Sequence, residues 1–127
     1  MKTMEERRTI SCEAIADTVA RLCIQANTLL PSQVRGLLCE ACAREPYAPA
    51  KETLELIRHN ADIARDQGMP ICQDTGMAVV YAEVGQDAHI VGGLLEDAVN
   101  EGVRRGYTDG YLRKSVVRDP IRRGNTG

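Results

Sequence analysis

An α+β fold is predicted for this chain, with amphipathic helices first, then a β-hairpin and a further helix. Three observations predict it. Apolar residues recur at helical spacing up to about residue 66; two β-forming runs then flank a short Gly85-Gln86-Asp87 turn; and helical spacing returns from Leu94. The first helix starts from Ser11 as N-cap, with Cys12, Ile15, Ala16, Val19, Leu22, Cys23 and Ala26 on one stripe. Pro31-Ser32 opens the second, whose inward face is Val34, Leu37, Leu38, Ala41 and Cys42 and which Pro46 stops. The third runs from about Ala50 to Asp66, with Leu54, Ile57, Ala61 and Ala64 inward and Gly68 as its C-terminal stop. Pro70 to Gly76 has no periodicity and reads as an ordered loop. Met77–Val84 and Ala88–Val91 are the two arms of the expected hairpin, because Val79, Val80, Tyr81 and Val84 favour extended backbone. Leu94, Leu95, Ala98, Val99, Gly102 and Val103 form the last helical face, to about Gly106 or beyond.

Composition narrows the function classes. The 127 residues suffice for one domain, and 43% apolar with 27% charged residues describe a globular chain rather than a disordered one. There is no Phe and no Trp, so the core must be aliphatic. A net charge of −2 gives no electrostatic reason for a nucleic-acid partner, and no run approaches membrane-spanning length. The charged Met1–Arg8 stretch lacks the apolar run of a secretory signal. The final Arg122-Arg123-Gly124-Asn125-Thr126-Gly127 string reads either as an ordinary tail or as a truncation.

Five cysteines are an odd number, and Cys12, Cys23 and Cys42 fall on apolar helix faces, where they act as small core residues. The Cys39-x-x-Cys42 spacing lies within a helix and has no second pair to complete a zinc site. Cys72 stands apart in a polar loop bounded by Pro70 and Gly76, where a thiol has little packing role. Its neighbours Gln73, Asp74 and Thr75 offer an amide, a carboxylate and a hydroxyl; a plain turn with Asp74 or Thr75 bonding local backbone is the competing reading. Arg113, Lys114 and Arg118 are either a solvated basic face or a grip for an anionic substrate, since an Arg fork donates two parallel bonds to a carboxylate. His59 and His89 have no evident partner for acid–base work.

The string Met69-Pro70-Ile71-Cys72-Gln73-Asp74-Thr75-Gly76-Met77-Ala78 resembles the Cys-Gln-Asp-Thr-Gly signature of the iron–sulfur hydro-lyases. These are class I fumarate hydratase and the L(+)-tartrate dehydratase alpha subunit. Gly102–Tyr107, Tyr111–Pro120 and Asn125-Thr126-Gly127 resemble the same family in the same order. The resemblance implies a [4Fe-4S] cluster held by three cysteines, with one open iron acting as Lewis acid on the substrate. It implies Cys72 as the first cluster ligand, Gln73 and Asp74 as substrate-contacting residues, and Arg113 as the arginine holding a substrate carboxylate. It further implies a small dicarboxylate substrate, a beta subunit or C-terminal half as partner, and a reducing cytoplasm. Asp119-Pro120 favours the fumarase branch. Residues 1–127 are then expected to be the N-terminal part of a larger catalytic domain, truncated and inactive alone, because the other two cluster cysteines lie beyond this sequence. The alternatives are a tartrate dehydratase fragment and, in another class, a non-catalytic helical module or remnant.

Overall fold

The computed structural model describes residues 8–126. In chain order the elements are β1 (Arg8–Ser11), α1 (Cys12–Thr28), α2 (Ser32–Arg44), α3 (Ala48–Gln67), β2 (Ala88–Val91) and α4 (Leu95–Asp109). The α+β class is as predicted, and so are all four helices to within a few residues. Ser11 caps α1 by accepting the Ala14 amide on its hydroxyl oxygen at 3.2 Å. Gly68 closes α3 in the left-handed region, at φ 64°, a conformation that costs a side chain Cβ strain.

The hairpin is not formed. β2 pairs in parallel with β1, in the register Arg8 with Ala88 through Ser11 with Val91. Met77–Val84, the expected partner arm, has no regular secondary structure. The Gly85-Gln86-Asp87 turn does exist, closed by the Ala88 amide on the Gly85 carbonyl at 3.1 Å, but it does not bring two strands together. The turn is thus as expected, while the strand it leads into pairs with β1 instead of Met77–Val84. Each strand instead feeds a helix, and the two strand–helix units lie side by side with α1 packed along α4.

That α1–α4 seam is the core. Val19, Cys23, Tyr107 and Leu112 form its buried cluster, with Ile15, Val99 and Val103 packed against it, so the core expected to be aliphatic includes a tyrosine. The helices approach closely because α4 and its end present Gly102, Gly106 and Gly110 at four-residue intervals. A Cβ at Gly102 would lie 2.6 Å from the Ala16 carbonyl oxygen, and one at Gly106 would lie 2.7 Å from that of Ala20. Ion pairs fasten the rim: Arg105 donates to Glu13 at 2.6 Å, to Asp17 at 3.0 Å and to Glu101 at 2.7 Å.

The α2–α3 pair is thinner. Cys42, Ala61 and Ala64 are buried there, and Arg35 pairs with Asp62 across the helices. Several residues expected to face inward are open: Leu22, Val34, Leu37 and Ile57 are exposed, Leu37 at 57%. Their helical periodicity is real, but no element covers them among the described residues. None of the helices described is long and apolar enough to cross a membrane.

Candidate functional site

The Cys72 loop is held at both ends by the helices around it. At its start, the Ile71 amide donates to the Asn27 carbonyl at the end of α1, at 2.8 Å. The Ile71 carbonyl accepts from the Asn60 side chain of α3, also at 2.8 Å. At its far end the Thr75 hydroxyl donates to the Arg113 carbonyl at 2.9 Å, and the buried Tyr107 hydroxyl donates to the Thr75 carbonyl at 3.2 Å. Burial pushes the Tyr107 pKa up, which keeps that hydroxyl a donor.

Between these anchors the loop forms a tight turn. Asp74 accepts the Gly76 amide on its carboxylate at 3.1 Å, and the Asp74 amide points at the Cys72 sulfur at 3.5 Å. Gly76 sits at φ 61°, where a β-branched residue would be strained. The competing turn reading is thus correct for part of the Asp74 side chain, while Thr75 reaches across 38 residues rather than locally. Cys72, Gln73 and Asp74 are all exposed.

The structure brings the Thr75 end of the Cys72 loop beside the Arg113 backbone. Arg113 and Lys114 are exposed, and Asn125 clips this stretch by donating to the Lys114 carbonyl at 2.7 Å. Arg118 lies in the following turn, where Asp119 accepts the Ile121 and Arg122 amides at 3.0 and 2.7 Å. Gly127, the last residue of the Asn125-Thr126-Gly127 match, lies outside the described residues. His59 and His89 are exposed, on α3 and β2. Asn27, Asn60 and Tyr107 are the anchors that sequence reasoning missed. A polar residue near a helix end, such as Asn27, or a Tyr on an otherwise apolar face was the available signal.

The cysteines do not assemble a cluster site by themselves. Cys23 and Cys42 are buried, Cys12 starts α1 with its sulfur 3.8 Å from the Leu94 carbonyl oxygen, and Cys39 is on α2. Among the described residues no three His, Cys, Asp or Glu side chains converge as a metal-holding group. Cys72 is the one cysteine in an exposed position, so these residues offer one thiolate where a cubane needs several.

A family model described as fumarate hydratase (Fumerase) matches residues 16–127, which contain the loop, its anchors and the α1–α4 seam. The chain belongs to the fumarate hydratase family. Among relatives, a putative L(+)-tartrate dehydratase subunit alpha of Methanocaldococcus jannaschii is 34% identical over 113 residues, 87% of this chain and 39% of its own length. A putative class I fumarate hydratase of Geobacillus stearothermophilus is 27% identical over 116 residues, 91% of this chain and 22% of its own length. An aerobic class I fumarate hydratase of Salmonella typhimurium is 36% identical over 89 residues, 66% of this chain and 15% of its own length. The chain therefore spans well under half the length of these fumarate hydratase family relatives.

Proposed function

We propose that residues 1–127 are part of the catalytic domain of a [4Fe-4S] hydro-lyase that reversibly hydrates fumarate to (S)-malate. The observation that carries this reading is the exposed Cys72 loop anchored to the Arg113 stretch through Thr75. In this reading Cys72 presents one thiolate to the cluster, and polypeptide outside these residues supplies the others. Gln73 and the outer oxygen of Asp74 orient the substrate, and the Arg113 guanidinium grips one substrate carboxylate with paired charge-assisted bonds. The chain's own share of the reaction is binding and orientation, so it is inactive alone, and a beta subunit or C-terminal half completes the site. Free thiols on buried helix faces agree with a reducing cytoplasm.

L(+)-tartrate dehydration is the second reading, supported by the 34% identity to the Methanocaldococcus jannaschii relative. Both reactions move water across a carbon–carbon bond flanked by carboxylates, so the same loop and arginine serve either. The test is anaerobic reconstitution with iron and sulfide, together with the remainder of an alpha chain and a beta subunit, assayed on fumarate and on tartrate. Hydration of fumarate that disappears in Cys72→Ala is the expected result. Turnover that survives Cys72→Ala refutes the ligand role, and turnover of tartrate alone replaces the first reading by the second.

A further inference from the structure

Met77–Val84 has the composition of a buried strand and the surroundings of a loop. Val79, Val80, Tyr81 and Val84 are β-formers, the segment holds no Pro or Gly, and Glu83 is its one charge. All eight residues are exposed, Met77 at 71% and Tyr81 at 93%. No backbone hydrogen bond is made by residues 77–84 among the described residues. Extended apolar backbone left unpaired in this way is a template for another strand.

The segment also runs between two open clefts. One, of about 410 Å³, lies toward α1 and is walled by Val19, Leu22 and Ala26. The other, of about 380 Å³, lies toward α4 and is walled by Val99 and Val103. Met77, Ala78 and Val80 border both. Leu22, expected in the core and found exposed, is accounted for as a cleft wall awaiting cover. Exposed apolar surface of this extent marks an interaction site.

We propose that Met77–Val84 is a receptor strand, paired in the complete protein by an extended, alternately apolar segment of family polypeptide lying outside residues 1–127. Side chains from that segment enter the clefts beside α1 and α4. Two observations select this occupant. The relatives carry polypeptide far beyond the matched region, which is 39% of the length of the Methanocaldococcus jannaschii subunit. A near-uncharged strand calls for an apolar partner rather than a charged surface. The proposal rests on family membership and exposed surface, not on the cluster or the substrate.

Amide hydrogen exchange read by mass spectrometry tests it. The 127-residue chain is produced alone and co-expressed with the part of the Methanocaldococcus jannaschii subunit outside the matched region. Amides of residues 79–84 are expected to exchange without protection in the chain alone and at least tenfold more slowly in the complex. Val80→Lys is expected to abolish the complex while leaving the helical circular dichroism and melting of the chain alone unchanged, because Val80 is exposed there. Failure to recover a complex, or a complex in which 79–84 stays unprotected, overturns the proposal. Protection that grows with the concentration of the chain alone overturns it too, in favour of a second copy.

Discussion

Asn60 and Tyr107 set the position of the Cys72 loop through side-chain hydrogen bonds to its backbone carbonyls, and each side-chain donor can be removed by substitution. Asn60→Ala leaves the Ile71 carbonyl without its partner, and Tyr107→Phe does the same to Thr75. Each is expected to cost about 1 kcal/mol, read as a lower urea midpoint at unchanged m-value. Thiol exposure gives a second residue-level prediction. Under native conditions iodoacetamide should modify Cys72 first, while Cys23 and Cys42 react only on unfolding; burial also raises the Cys23 pKa, slowing it further. Mass-spectrometric mapping of the labelled peptides against time checks this. Cys72 itself was legible in the sequence because its loop lacks any periodicity to explain a thiol. Asn27 and Asn60 were not, since a surface Asn becomes an anchor only when the fold lays a carbonyl or an amide beside it.

At the scale of elements, the glycines of α4 and of α2 should respond to alanine with opposite signs. Gly106→Ala places a methyl group 2.7 Å from the Ala20 carbonyl oxygen and 3.0 Å from its Cα, so α1 must move away. The strain outweighs the gain in helix propensity, for a net loss of about 1–2 kcal/mol. Gly36→Ala, with nothing within 4 Å, should instead stabilise α2 by up to about 1 kcal/mol. Chemical denaturation of both variants checks the contrast. The α1–α4 ion pairs add a pH dependence. Hydrogen bonds from Arg104 and then Arg105 lower the Glu101 pKa from 4.5 to about 2, and Arg105 lowers that of Glu13 as well. A carboxylate whose folded pKa is depressed stabilises the fold above its unfolded value and loses that contribution as pH falls. Stability should therefore hold down to about pH 4.5 and decline from there toward pH 2, and Arg105→Gln should flatten the decline in a melting series over that range. The four helices were legible because caps, prolines and apolar spacing act within a few residues. The strand pairing was not, because β2 had to choose between a neighbour across a three-residue turn and β1, nearly eighty residues back.

The whole molecule is a thin core with much apolar surface left open. Among the described residues, the largest buried side chains are Tyr107 and Leu112, and the rest of the core is small, dominated by Ala and Cys. A cluster of iron and sulfide needs several thiolates, and this chain exposes one, so anaerobic reconstitution of residues 1–127 alone should give no stable cluster absorbance. Appearance of that absorbance, retained in Cys72→Ala, would remove Cys72 from the site. By itself the sequence determined the α+β class, the helices with their caps, the exposed Cys72 loop and the resemblance to a fumarate hydratase family to which the chain belongs. All of these depend on short-range chemistry or on ordered motifs. Only the tertiary structure decided that β1 and β2 run in parallel, that Gly102 and Gly106 let α1 and α4 touch, that Asn27, Asn60 and Tyr107 anchor the loop, and that Met77–Val84 lies unpaired between two clefts. Each of these depends on which backbone surface meets which across long stretches of chain, and no local pattern of side chains encodes that choice.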